Sequence, residues 1–513
     1  MVQNQNIFQA YKPLRNNLKK LCLDDSFFVI WNFVQYLQFE REIDKTIEVN
    51  PRLLHLKDTR SWRPHEWELE LLTKEIIINS QDTHFTSKSL KKWSYFSNTL
   101  NKLRHLCNEI AKTFIDKNNV TNELNRIAFR QFHWQSRPSK DFFFRYNKIF
   151  NVPTLNNLVK KIIGLTVNEL YFLGLAFGGA YLKKPEITVS HLDKFYINKI
   201  GFSKISRFLE FTSKDITFLK ANMIVEQEIN DKFEYSYNYL RAYPIIRMIY
   251  RNEKSLVCPL PTLLFWRITS GLYYEICKEK VFGVNFGNSF QKYVGEVIEK
   301  ANNNKTINYI KEEEYHVYKN RKDAVDWIVY DRDSALFIEC KTKRMILPIK
   351  LQLNENSIIK KELDKMAEII FQIYKSIDDY RKNLYPSFKY EQNRQIHPLI
   401  LTLENWFLIG NKRLDIVNEM VAKKLSNKDL PLDYLYKMPY SICSMEEFEN
   451  VIQIIQVTGI KEFMSKKVFD KEKNTWAFDT FIIYEFPNER RKHKFLFRDE
   501  ADKIFRTISK YTF

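Results

Sequence analysis

The chain has 513 residues, with 81 Lys+Arg against 62 Asp+Glu and a formal net charge of +19. Apolar residues make up 44% and aromatics 15%, enough for several hydrophobic cores, which excludes a mostly disordered chain. Glycine and proline, 11 and 15 in number, are too scarce for collagen-like or flexible-linker sequence.

The positive excess favours a polyanionic partner, and nucleic acid is the commonest one for a soluble protein. Simple enrichment in lysine, alongside asparagine and isoleucine, is the competing cause. The cysteines (Cys22, Cys107, Cys258, Cys277, Cys340 and Cys443) form no C-x-x-C pair and no disulfide framework. They are expected to be reduced thiols in a cytoplasmic protein. The opening MVQNQNIFQAYKPLRNN has no signal-peptide apolar core, and no run is long and apolar enough to span a bilayer, so no membrane partner is expected.

In chain order, residues 1–275 predict a mainly helical, aromatic-rich region for recognition or partner binding. Residues 87–114 carry apolar side chains at helical spacing, among them Trp93, Phe96, Leu100, Leu103, Leu106 and Ile110. Residues 131–150 interleave rings and cations, a pattern that stacks bases or, more often, packs rings inside and leaves cations outside. Residues 170–182 predict a buried helix. Strands are expected at 239–249 and 255–261, and helical character returns at 263–277.

Residues 276–425 predict a second domain. An amphipathic helix spans 288–301, and a strand-like stretch spans 306–318. Two apolar strands, 324–330 and 335–341, are joined by the turn Asp331-Arg332-Asp333-Ser334. A long amphipathic helix follows at 357–380, with Leu363, Met366, Ile370, Ile373 and Ile377 on one face. A strand is expected at 397–409. Residues 426–513 predict an α/β extension packed on this domain, with a strand and helix within 440–455, a strand at 480–485 and a final helix.

Three charged residues stand out against those apolar strands: Asp326, Glu339 and Lys341. Glu339 and Lys341 are two apart and leave the same strand face. Pairing Val329 and Tyr330 with Leu336 and Ala335 puts Asp326 opposite Glu339. Buried charges are costly unless paired or metal-bound. Two carboxylates can hold Mg²⁺ with water completing the shell, and the lysine can act on a water or on phosphate charge.

The segment AVDWIVYDRDSALFIECKTKR, with twelve residues between Asp326 and Glu339-Cys340-Lys341, resembles the PD-(D/E)XK nuclease superfamily, over about residues 282–406. Glu339-Cys340-Lys341 is the only acid-x-Lys triplet in the chain. The resemblance implies a restriction-endonuclease-like domain, a central mixed β-sheet flanked by helices, and so an α/β (α+β) protein. It implies Mg²⁺ or Mn²⁺ on Asp326, Glu339 and the Cys340 carbonyl, with Lys341 positioning the attacking water. Val325 stands where the family name has proline. In the upstream helix Gln291 stands where the family often has an acid, so Gln291 and Glu296 are auxiliary candidates. Gln372 and Tyr374 do not reproduce the glutamine–tyrosine pattern of RecB-like and Cas4-like members, and no subfamily is assigned.

The expected activity is therefore metal-dependent DNA endonuclease chemistry, by resemblance within a prokaryotic restriction or anti-phage defence system with protein partners. RNA is the alternative substrate, and a homo-oligomer stays open. The alternative reading is a catalytically inactive nucleic-acid-binding or scaffold subunit, in which Glu339 simply pairs with Lys341 or Lys343. Lys343, Arg344 and Lys350, just after the second strand, and Arg490, Arg491 and Lys492 near the end are candidate phosphate contacts. Residues 312–316 (EEEYH) predict an exposed strand edge near the site. Histidine spacing gives no zinc signature, and no G-x-x-x-x-G-K-[ST] is present.

Overall fold

The computed structural model describes residues 2–50, 63–80, 88–115, 120–135, 137–192, 200–317, 320–342, 356–406 and 411–509. It divides into two compact units, Met1–Phe282 with Asp502–Phe513, and Gly283–Ala501. Both helices and mixed sheets are present, and the protein is α+β.

The first unit is built on helices Val2–Leu18, Leu23–Phe39, Glu66–Asn79 and Trp93–Phe114. The apolar stripe of the last one is inward: Phe96, Leu100, Leu103, Leu106 and Ile110 are buried, and Phe96 stacks on Phe33 at 4.4 Å. The helix starts at Trp93, later than the spacing suggested. Four short strands, β1 (Glu186–Thr188), β2 (Ser213–Asp215), β3 (Ile245–Tyr250) and β4 (Glu253–Val257), form a sheet in the order β1-β4-β3-β2. The β3–β4 hairpin turns through Arg251 and Asn252, both left-handed at φ 49° and 67°, the backbone that a tight two-residue turn between twisted strands demands. In the segment 131–150, Trp134, Phe143, Phe144 and Tyr146 are buried. Those rings therefore build the core and are closed to base stacking. Residues 239–241 form a 3₁₀ turn, not the start of a strand.

In the second unit, helix Phe282–Ala301 precedes β5 (Asn308–Lys311), β6 (Glu314–Val317), β7 (Asn320–Asp323), β8 (Trp327–Tyr330) and β9 (Ser334–Lys341). Helix Asn356–Arg381 leads to β10 (Gln395–Thr402), helix Asn411–Ser426 to β11 (Ser441–Ser444), and helix Met445–Thr458 follows. The five-stranded sheet runs β11-β10-β9-β8-β5. β9, β10 and β11 are parallel, while β8 is antiparallel to both β9 and β5. The long crossover between parallel β9 and β10 contains helix Asn356–Arg381. That helix buries Leu363, Met366, Ile370, Ile373 and Ile377, the face its spacing marked. Ile328, Val329, Leu336, Phe337, Ile338, Leu399, Ile400 and Leu401 are also buried. Such near-continuous apolar runs mark strands covered on both faces.

Several boundaries differ from the sequence reading. The stretch 306–318 is two strands: after β5 the chain turns away to make the separate β6–β7 hairpin. β8 begins only at Trp327, so Asp326 sits on the bend that feeds it. Residues 480–485 are no strand: they lie in helix Phe478–Glu485, which buries Phe478, Phe481 and Ile482. Burial at i, i+3 and i+4 is helical, and the local run of β-formers misled the reading. No unit boundary falls at 275/276 or 425/426. The division lies at Phe282/Gly283, and β11 is an integral strand of the central sheet, with Leu399 opposite Ser441.

Candidate functional site

The β8–β9 register pairs Trp327 with Ile338, Val329 with Leu336, and Tyr330 with Ala335. One step before the Trp327–Ile338 pair, Asp326 comes opposite Glu339 on β9. There the carboxylate takes the place of a ladder partner: the Cys340 N–H donates to Asp326 Oδ2 at 2.5 Å. On the other side of Asp326, the Glu312 N–H donates to its backbone carbonyl at 2.8 Å. The bend carrying Asp326 is thus tied to β9 through its side chain and to the end of β5 through its main chain.

Glu339 and Lys341 project from the same face of β9, and Lys341 Nζ donates to Glu339 Oε1 at 2.6 Å. Their parallel partners on β10 are Ile400 and Thr402. Both side chains are half-buried, at 18% and 32% exposure, which leaves this end of the sheet reachable from solvent.

Helix Phe282–Ala301 supplies the fourth group. Gln291 Nε2 donates to Asp326 Oδ1 at 2.9 Å and to Glu312 Oε2 at 3.0 Å. The helix is fixed there by Trp327, whose indole N–H donates to the Gln291 carbonyl at 3.1 Å. The same indole lies over Gly295, where a Cβ would meet a ring carbon at 2.3 Å. Only a residue without a side chain lets the helix come this close.

The electrostatics follow from this crowding. Burial pushes the Asp326 carboxyl up to about 7, helped by Glu339 and Glu312 and opposed by the Cys340 N–H and Lys341. Burial pulls the Lys341 ammonium down, yet the contact with Glu339 outweighs it and holds the group above the ordinary lysine value. Burial drives the Cys340 thiol well up, so its side chain is no nucleophile and its main chain is what the site can use.

Among the described residues, no group of three or more His, Cys, Asp or Glu side chains is set to hold a metal ion. What the centre offers is two carboxylates and a backbone carbonyl. These are hard oxygen donors with spare lone pairs, and an ion of the Mg²⁺ or Mn²⁺ class keeps several waters on so small a set. The residues fit such an ion.

The structure thus brings Asp326, Glu339, Cys340, Lys341 and Gln291 together. Glu296 lies five residues beyond Gln291, about 140° round the helix, and so leaves on another side. Gln372 pairs with Glu368, and the buried Tyr374 hydroxyl donates to the Met438 carbonyl, so both are engaged elsewhere. Arg490, Arg491 and Lys492 are exposed, and Arg491 bonds to Asn488. Lys343, Arg344 and Lys350 lie outside the described residues. Sequence reasoning treated Glu312 as an edge residue and passed over Gly295 and Trp327. A glycine in the middle of an amphipathic helix was the available signal.

No known family profile matches the chain, and no curated protein does. Among solved structures, the small subunit of the heterodimeric restriction endonuclease R.BspD6I is similar over 46% of this chain and 95% of that one, at 12% identity and a TM-score of 0.20.

Proposed function

We propose that this protein is a metal-dependent nuclease that hydrolyses phosphodiester bonds in DNA, with its centre on Asp326, Glu339 and Lys341. The observation that carries the reading is the pair of acids crowded at one end of a buried sheet, with a lysine at 2.6 Å from one of them. A structural ion pair needs one acid for one base, and this cluster has acid to spare.

Asp326, Glu339 and the Cys340 carbonyl would hold Mg²⁺ or Mn²⁺. Bound there, such an ion polarises the phosphoryl group and makes a water a better nucleophile. The Cys340 N–H fixes one oxygen of Asp326, so the other faces of that carboxylate are presented without rotational freedom. Lys341, kept as an ammonium by Glu339, orients the attacking water and neutralises charge that develops on the phosphate. The net charge of +19 would hold the polyanion near the site.

We assign the first unit to recognition or partner binding, and place the protein in the cytoplasm of a prokaryote as part of a restriction or anti-phage defence system. RNA remains the alternative substrate within the same chemistry. A second reading, a non-catalytic nucleic-acid-binding or scaffold subunit, draws on the closed Lys341–Glu339 contact, which a purely structural pair would also make.

Purified protein incubated with supercoiled plasmid, linear duplex, single strands and RNA, each with Mg²⁺, Mn²⁺ or chelator, decides between these. Metal-dependent cleavage is expected, and its loss in Lys341→Ala with DNA retention and melting temperature unchanged. Full cleavage by Lys341→Ala would remove the proposed role.

A further inference from the structure

We propose that the amide of Gln291 occupies the position a second metal ion would take, so that the centre works with a single divalent ion. This rests on the metal-dependent reading above and concerns how many ions that site accepts.

Gln291 Nε2 lies between two carboxylate oxygens, 2.9 Å from Asp326 Oδ1 and 3.0 Å from Glu312 Oε2. An ion bridging those oxygens would sit about 2.1 Å from each. The amide and such an ion therefore compete for one volume. The amide is carried on a helix that is held in place. Its helix is pinned by the Trp327 indole on the Gln291 carbonyl and by the close approach of that ring to Gly295. The main chain of Glu312 is tied here as well, its N–H donating to the Asp326 carbonyl. An amide NH₂ carries two donors and no net charge, so it satisfies both acids without neutralising either.

Among the described residues, Asp326, Glu312, Glu339 and Lys341 are joined through these contacts, and the amide is the one uncharged side chain among them. Gln291→Glu replaces the donor with an acceptor at the same length and adds a negative charge, and so should admit a second ion.

The test is a Mn²⁺ titration of the purified chain, followed by the electron paramagnetic resonance signal of the free ion. Wild type is expected to bind one ion per chain, Gln291→Glu two, Glu312→Gln one, and Asp326→Asn none in the same concentration range. Two ions on wild type, both lost in Asp326→Asn, would overturn the inference and leave the metal-dependent reading standing. No ion on wild type would overturn both. A single ion on a Gln291→Glu protein that melts like wild type would show that something other than the amide excludes the second ion, and would also overturn the inference.

Discussion

Each unit buries an acid, and Glu70 in the first and Asp326 in the second are handled in opposite ways. In the first unit, Glu70 lies inside the helical core and takes a two-pronged contact from Arg241 at 2.6 and 2.8 Å, plus the Trp134 indole N–H at 2.8 Å. Burial alone would push Glu70 up, and the Arg241 contact overrides it and holds the carboxyl below its ordinary value. Glu75, by contrast, takes hydrogen bonds from the neutral Tyr11, Asn79 and Gln227, and burial pushes its carboxyl up. In the second unit, Asp326 is pushed up to about 7, because its neighbours include acids as well as Lys341. A buried charge with its complement supplied by the fold serves the fold, and one left short of its complement is poised for a ligand. Perturbed groups of the second kind are the ones that mark functional sites.

The contrast can be broken at several points. The largest effect is expected at Asp326→Asn, which should cut cleavage about a thousandfold, the scale of losing one fixed electrostatic contact in a transition state. Its melting temperature in chelator should hold or rise, since one of two crowded acids is gone. A drop in stability on the scale of a core charge deletion would put Asp326 with the structural charges. Glu70→Ala is the mirror image. It strands Arg241 and the Trp134 indole and should cost about 3 kcal/mol in denaturant unfolding, with Mn²⁺ binding unchanged. A near-neutral result would show that the first unit's charges are not held as tightly as their distances indicate.

His397 gives a third contrast inside the second unit. Its ring is fully buried on β10, neither nitrogen finds a protein partner, and burial pulls its pKa down to about 4. The unfolded chain takes up this proton near 6.5 and the folded one only near 4. Stability is therefore complete above pH 6.5 and lost as pH falls toward 4, by about 3 kcal/mol. Urea melts across that range should show the slope, and His397→Leu should flatten it. An unchanged slope in the variant would move the acid sensitivity to other groups.

Gly295→Ala should cost about 2 kcal/mol, because the added Cβ drives the helix off Trp327 and outweighs alanine's better helix propensity. It should also weaken ion binding through the displaced Gln291, and an intact affinity would uncouple that helix from the site. The smallest effect is expected at the exposed pair Arg490→Ala with Lys492→Ala. Stability should stay within about 0.5 kcal/mol. DNA retention should lose about one unit of salt slope for each phosphate contact removed, and an unchanged slope would remove these residues from the interface.

Periodicity and strand chemistry determined a good deal unaided. The spacing of Leu363, Met366, Ile370, Ile373 and Ile377 marked a helix face that is buried, and two apolar runs around a four-residue turn gave a register that the β8–β9 pairing reproduces. Those are short-range signals, set by 3.6- and 2-residue repeats. Other features needed the tertiary structure. The helix at Phe478–Glu485 carries strand-forming residues, and only its packing partners select the helix. β11 lies some forty residues from the strand it pairs with, and no local pattern announces a parallel partner at that distance. The link between Gln291, Glu312 and Asp326 joins three elements through one amide, and a stretch of three glutamates in sequence does not say which of them meets that amide. Chemistry-bearing residues can be named from their rarity in an apolar run, but their count, their spacing in space and the charge left over are properties of segments that meet only when the chain has folded.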